Sequence, residues 1–330
     1  MSLLITSINN KRPMVSAFRD AAHSHGWRLY GSDLDLDVPA ASDVDALIQL
    51  PAVTDPAYKN QLLKAVKENQ VRLILPSRDG DIAILKSLEN ELAQIGCHLP
   101  LPSLETIEIC QDKKLFSEKI SELGFKAIPI LNKIGTEPRG YFTRPRFASG
   151  SQGAYLVKSL EDAIAIAASK DQLLHPLILS PEYTIDILSD LAGTPLSAVC
   201  RRRLRVVNGE SKWAQVEHKP LLEKAALGLA KSLKLVGHNI LQAFVDKDQT
   251  PVFIECNLRF GGASILSLKA GLNTPDLLIR MVNGEKFSRC PFSDIKYGLS
   301  LKRIRSGNIE TDHFSSNDPL SNPIFFEAEQ

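Results

Sequence analysis

Three polar residues alternate along an otherwise apolar run late in the chain. Glu255, Asn257 and Arg259 would share one face of a strand, while Cys256 and Leu258 would face the core. Mg²⁺ accepts carboxylate and amide oxygens and completes its octahedron with water and substrate phosphates. A nearby guanidinium suits those same phosphates. The competing interpretation is an exposed strand, but this pattern inside an apolar run favours a site for Mg²⁺ and a phosphorylated ligand.

A second apolar strand precedes this one, across a polar turn at residues 247–250, and the two predict a hairpin. If the turn holds four residues, Asp246 pairs with Pro251 and Gln242 lies opposite Glu255. A slip of one residue would break that pairing. The amide of Gln242 would then join the two predicted metal ligands of the second strand.

Basic and small residues in the middle of the chain suit a phosphate. Lys113 begins a helix predicted over 112–123, where a cation is disfavoured unless an anion is near. Arg144 precedes a loop in which Gly150 and Gly153 permit tight turns and expose backbone N–H groups. Each feature has a plainer interpretation, a solvated helix face for the lysine and an ordinary β-turn for the loop.

Two further strands carry charge on one face. Glu182, Thr184 and Asp186 alternate along the first of them. Three arginines alternate along the second: Arg201, Arg203 and Arg205. Such a stripe repels itself unless an anion meets it, and the equally weighted alternative is a solvated edge that resists aggregation.

The first hundred residues alternate between strands and helices, which predicts a parallel, helix-covered sheet. The expected strands are 3–6, 27–33 and 71–76, and the expected helices 14–23, 59–68 and 81–93. The turn after the first strand contains no glycine, so a backbone could not approach a pyrophosphate there in the usual way. This observation argues against a dinucleotide-binding dehydrogenase.

Composition sets broad limits. The chain has 330 residues, is 44% hydrophobic and 23% charged, and carries a net charge of +1. We therefore expect no nucleic-acid or membrane partner, and small molecules or other proteins as partners instead. Five scattered cysteines without a CxxC pair predict neither a zinc site nor a disulfide framework, and a cytoplasmic location. A homodimer is the default expectation for the assembly.

Residues 255–262 resemble the metal strand of ATP-grasp enzymes, in the branch of the carbamoyl phosphate synthetase large subunit. The resemblance covers nearly the whole chain and implies α/β plus α+β architecture. It predicts an N-terminal parallel-sheet (pre-ATP-grasp) domain over 1–108 and a two-subdomain ATP-grasp domain over 109–330. Within the latter, residues 109–175 would form the nucleotide lid, and 176–330 the metal-binding subdomain with a C-terminal tail.

The resemblance also implies the ligands, ATP and Mg²⁺ (or Mn²⁺), and the residues that bind them. The nucleotide would be bound by Lys113, Arg144, Ser149, Gly150, Gly153, Leu179 and Glu182. The metal would be bound by Gln242, Glu255 and Asn257. The catalytic residues would be Arg259, which contacts phosphate, and Arg203, which holds the substrate carboxylate or the acylphosphate.

The function implied is an ATP-dependent carboxylate-amine ligase that forms an acylphosphate and couples it to an amine or other nucleophile. Two departures from the family pattern leave alternatives. The adenine hinge, residues 176–181, lacks its usual polar pair, and Gln242 is neutral where many relatives have a glutamate. A non-catalytic ATP-binding protein and an acyl kinase without ligation therefore remain open. A single copy of the domain makes a complete carbamoyl phosphate synthetase unexpected.

Overall fold

Three β-sheets organise the part of the chain that the computed structural model describes. The described residues are 1–135, 139–148, 150, 152–207, 209–288, 291, 294–303 and 309–313. None of the helices within them is both long and apolar enough to cross a lipid bilayer.

The N-terminal sheet is parallel, with strand order β3-β2-β1-β4. Its strands are β1 (Ser2–Thr6), β2 (Arg28–Asp33), β3 (Ala46–Gln49) and β4 (Val71–Pro76). Its helices are α1 (Arg12–Ser24), α2 (Tyr58–Glu68), α3 (Asp79–Lys86) and α4 (Glu89–Gln94). Both faces of β1 are buried, since Leu4 and Leu3 enter different hydrophobic clusters, which accounts for its unbroken apolar sequence.

In this region one predicted helix was wrong and one strand was not predicted. The helix predicted over 81–93 is two helices, α3 and α4, separated near Ser87 and Leu88. The strand β3 was missed because its residues are only half buried at the sheet edge and lack a clear alternation.

A three-stranded sheet of order β6-β5-β7 follows two short helices. These helices are α5 (Leu104–Gln111) and α6 (Lys113–Glu122). The sheet contains β5 (Tyr141–Pro145), β6 (Tyr155–Val157) and β7 (Gln172–Pro176), and α7 (Leu160–Ala167) packs on it. Its small core is formed by Ala163, Ile166 and Leu174.

The third sheet is antiparallel and has the order β12-β11-β8-β9-β10-β13-β14. Its strands are β8 (Glu182–Ser189), β9 (Pro195–Val207), β10 (Glu210–Val216), β11 (Gly237–Val245), β12 (Pro251–Asn257), β13 (Leu299–Arg303) and β14 (Ile309–His313). The accompanying helices are α8 (Pro220–Ser232), α9 (Ser264–Lys269) and α10 (Thr274–Val282).

Two hydrophobic clusters join the N-terminal sheet to the seven-stranded sheet. One contains Leu4 and Tyr183, and the other contains Phe18 of α1 together with Leu266 and Leu278 of α9 and α10. The ring of Phe18 also meets that of Phe260 edge-on at 5.0 Å between centroids. The parallel domain is thus packed onto the rest of the chain, and the predicted fold class is confirmed.

Candidate active site

A cleft of about 1930 Å³ opens among the three sheets. Its walls come from the loops after β1 and β4, from β5, and from β8, β9, β11 and β12. Among the predicted site residues that the structure describes, Gly153 alone is absent from the lining. Ser149 lies outside the described residues. One cavity therefore unites segments that are far apart in sequence.

The predicted pairing of Gln242 with Glu255 is confirmed. The turn differs from expectation, because Val245 rather than Asp246 pairs with Pro251. An irregularity between Gln242 and Ala243 restores the predicted register by accommodating one extra residue in β12. Both polar side chains consequently lie on the cleft side of the hairpin.

The second face of β12 is apolar, as expected, since Cys256 and Leu258 are buried. On the cleft face the Asn257 amide donates to Glu255 Oε1 at 3.1 Å. These two residues and Gln242 offer one carboxylate and two amide oxygens, the hard donors that suit Mg²⁺ bound mainly through phosphates and water. The donor set therefore fits that ion. In the described part of the chain, no cluster of three or more His, Cys, Asp or Glu residues has metal-binding geometry.

Arg144 reaches this hairpin from the three-stranded sheet. Its side chain is buried, its Nη2 donates to the Ile254 carbonyl at 3.1 Å, and its Nη1 lies 3.6 Å from Glu255 Oε2. Its Nε donates to His175 Nε2 at 3.1 Å, while His175 Nδ1 donates to the Pro129 carbonyl at 2.7 Å. Burial and the adjacent guanidinium lower the pKa of His175 to about 3, so the imidazole is neutral and accepts from Arg144.

Lys113 is buried, so the solvated-face interpretation was wrong for this residue. Its ammonium donates to the carbonyl of Ala148, which follows β5. Burial lowers its pKa, and Glu255 opposes that effect. Asp112 caps α6 and also accepts from Arg146, which lies two residues before Ala148. The Arg146 Nη2 and Asp112 Oδ2 atoms are 2.6 Å apart. The start of α6 is therefore tied to the segment that leads from β5 into the glycine-containing loop.

Arg203 connects the predicted nucleotide and metal residues. Its Nη1 donates to Glu182 and, at 2.8 Å, to Gln242 Oε1, while Nη2 donates to the Gly209 carbonyl at 2.7 Å. The neighbouring Arg201 is buried against Asp186, with 2.6 Å between Nε and Oδ2. The solvated-edge interpretation was therefore wrong for both arginines, and the anions that meet them are carboxylates of β8.

The predicted adenine hinge lies along one wall of the cleft. Leu179 lines it and is 49% exposed, so an apolar surface is open to a planar ring.

In the loop between β5 and β6, Gly150 and Gly153 have φ values of 66° and 72°, the left-handed region that favours glycine. A Cβ at Gly153 would also lie 2.9 Å from Pro145 Cγ. Gly153 thus has a steric role although it lies outside the lining.

Arg259 is held by a residue that sequence reasoning missed. Its Nε and Nη2 bind the two carboxylate oxygens of Asp79 at 2.8 and 2.7 Å. Asp79 begins α3 in the N-terminal domain, 180 residues away, so only the tertiary fold brings the pair together. His175 was missed for the same reason. Lys11 and Arg303 also line the cleft and were not predicted, although a lysine at the N-terminus of a helix, where a cation is disfavoured, was a usable signal for Lys11.

Two family models match the chain. Residues 168–305 match the model described as ATP-grasp in the biosynthetic pathway with Ter operon, and residues 3–100 match the PylC-like, N-terminal domain. A curated relative is the carbamoyl phosphate synthase large chain of Clostridium acetobutylicum, 22% identical over 290 residues. The matched region covers 80% of this chain and 26% of that relative, so the chain spans about a quarter of its length.

Solved structures share the fold at lower identity. N5-carboxyaminoimidazole synthetase from Staphylococcus aureus, complexed with ADP, superposes with a TM-score of 0.72 at 15% identity, covering 92% of this chain and 82% of that one. L-amino acid ligase from Bacillus licheniformis gives 0.66 at 17% identity, covering 91% and 78%. Residues 168–305 thus match an ATP-grasp family model and residues 3–100 a PylC-like N-terminal domain model, while the solved structures show that the chain shares the fold of these enzymes.

Proposed function

We propose that this protein uses Mg-ATP to phosphorylate a small-molecule carboxylate and then couples the acylphosphate to an amine or other nucleophile. The observation that carries the proposal is the meeting of Lys113, Arg144 and Arg259 with the oxygen donors of Glu255 and Asn257 in one cleft. Three cations beside a hard-oxygen donor set suit the triphosphate of a nucleotide better than an uncharged ligand. The coarser family assignment agrees with this chemistry.

ATP would bind with its adenine at Leu179 and its phosphates towards Lys113 and Arg144. Gln242, Glu255 and Asn257 would hold Mg²⁺, which when bound neutralises phosphate charge. A substrate carboxylate oxygen then attacks the γ-phosphorus, the bond to the ADP oxygen breaks, and an acylphosphate forms. Positioning and charge neutralisation by fixed cations, rather than covalent catalysis, would lower the barrier.

In the second step an amine attacks the acyl carbon, phosphate leaves, and the nitrogen loses a proton. Arg259 would stabilise phosphate charge, and its contacts with Asp79, which fix the plane of the guanidinium, support this role. The predicted role of Arg203 in holding the substrate carboxylate requires it to leave Glu182 and Gln242, which now occupy its Nη1. The same release would make Gln242 available to the metal.

The test is release of phosphate from Mg-ATP across a panel of amino acids and small carboxylic acids. Glu255→Gln is the matched control, since it keeps the shape of the side chain and removes the charge. Acid-dependent release that is lost in this variant supports the proposal, and mass analysis separates an amide product from a free acylphosphate. ATP binding without release for any acid would favour the non-catalytic alternative.

A further inference from the structure

The cleft continues past Arg259 to a second group of positive side chains, on the side of the N-terminal domain. Lys11, Arg201 and Arg303 line this part. Burial, Arg259 and Arg303 lower the pKa of the Lys11 ammonium, and Glu210 and Asp79 oppose part of that effect. Burial also lowers the pKa of the Arg303 guanidinium, where Glu210 opposes this effect and Arg201 adds to it. Such mutual repulsion is unfavourable unless an anion lies between the groups.

The protein's own carboxylates only partly compensate this group. Arg201 is paired with Asp186 at 2.6 Å, and Arg303 Nη1 lies 3.3 Å from Glu210. Within the described residues, Lys11 has no ion-pair partner. The buried Arg303 Nε likewise has no hydrogen-bond partner there. A surplus positive charge and an unused donor therefore face one region of the cleft.

Lys11 is held in place by its backbone. Its N–H donates to the Ile8 carbonyl at 2.8 Å, and its own carbonyl accepts from Met14 and Val15, each at 3.0 Å. It occupies the N-cap position of α1, whose first turn contains no acidic residue. A cation is disfavoured at this end of a helix dipole, so the fold alone gives no reason for a lysine at this position.

Arg303 is placed by a glycine next to the metal strand. A Cβ built on Gly262 would lie 2.2 Å from Arg303 Nη2, so the guanidinium occupies space that only glycine leaves free. Gly262 is three residues beyond Arg259. The second cationic group is therefore adjacent to the predicted phosphate-contacting residue, and a single small substrate could contact both.

We propose that Lys11, with Arg303 and Arg201, binds a second anionic group of the substrate, distinct from the carboxylate that is phosphorylated. This inference rests on the proposed function and narrows it to substrates that are at least dianions, either dicarboxylates or phosphorylated acids. It also gives the PylC-like N-terminal domain a part in substrate binding. Lys11 is the determinant supplied by that domain.

The experiment measures direct binding, so that it does not depend on turnover. Glutarate, inorganic phosphate and, as a monoanion control, butyrate are titrated into the full chain by calorimetry, with and without MgADP. The MgADP series separates the proposed subsite from the nucleotide phosphate site. Lys11→Met is compared with Lys11→Arg and with Lys114→Met, which removes the same charge from a partly exposed helix position outside the cleft.

Glutarate or phosphate should bind the wild-type chain and Lys114→Met alike, and Lys11→Met should bind the same anion about tenfold or more weakly. Lys11→Arg should recover part of that loss. Binding of glutarate alone assigns a dicarboxylate, and binding of phosphate alone assigns a phosphorylated acid. Equal binding by Lys11→Met and the wild type, or no preference over butyrate, overturns the inference. A failure of ATP turnover, by contrast, would affect only the proposed function.

Discussion

The hydrogen bond from Arg144 to His175 should make the stability of this protein depend on pH. His175 is fully buried, and its pKa is lowered from 6.5 to about 3 by burial and by the guanidinium beside it. The unfolded chain therefore binds a proton at a higher pH than the folded chain does. The stability that depends on neutral His175 is complete above pH 6.5 and is lost as the pH falls towards 3.

The size of the effect follows from the two pKa values. Between pH 7 and pH 5 the unfolded imidazole goes from about one quarter protonated to almost fully protonated while the folded one stays neutral, which costs about 2 kcal/mol of unfolding free energy. Glutamine at position 175 could still accept from Arg144 and donate to the Pro129 carbonyl, but it does not titrate. His175→Gln should thus reduce the loss between pH 7 and pH 5 by about 2 kcal/mol relative to the wild type.

Urea unfolding at both pH values, followed by circular dichroism, measures this difference. The other buried titrating groups, including Asp186 and His238, are the same in both proteins, so their contributions cancel in the comparison. An equal loss of stability in wild type and His175→Gln would refute the neutral, accepting imidazole. It would also mean that a hydrogen bond to His175 is not what positions Arg144.

The remaining predictions concern the cleft. Asp79→Asn should weaken the hold on Arg259 and lower kcat for acid-dependent phosphate release about tenfold while shifting Tm by only a few degrees; an unchanged kcat would contradict a positioning role. Glu255→Gln should raise at least about tenfold the Mg²⁺ concentration needed for half-maximal ATP binding, measured by calorimetry, and the same Mg²⁺ requirement as wild type would exclude it as a ligand. Gly262→Ala should displace the Arg303 guanidinium and weaken glutarate or phosphate binding as Lys11→Met does, whereas wild-type binding would show that this guanidinium is not needed.

Local sequence patterns predicted much of the fold and part of the candidate site. The alternation around Glu255 and the opposing position of Gln242 were readable because a hairpin keeps its partners close in sequence. Even in this hairpin, the irregularity beside Ala243 could not be predicted, because no residue type in the sequence indicates a β-bulge there. The result agreed because an error at the turn and an extra residue in β12 offset each other.

Long-range partners were not readable from one sequence. Asp79 and His175 look ordinary in their own segments, and each becomes meaningful only beside the arginine that it positions. For Arg201 and Arg203 the sequence contains a clear pattern, but both interpretations of it were incomplete. They assumed that either solvent or a ligand meets the arginines, and neither considered a carboxylate of the protein. Their counter-ions are Asp186 and Glu182, on the neighbouring strand β8. Knowing that β8 and β9 are adjacent would have been enough to predict these pairs.

The contacts of Arg203 link nucleotide binding to metal binding on the proposed function. Glu182 and Gln242 accept from one guanidinium nitrogen, so a ligand that displaces Arg203 from one of them also displaces it from the other. The nucleotide would engage Glu182 and the metal would engage Gln242, and each event therefore lowers the cost of the second. Arg203, freed from both, would then be a charged and desolvated donor at the reaction centre. Mg²⁺ and ATP should accordingly bind with positive coupling, and Arg203→Met should reduce that coupling by removing the contact they share.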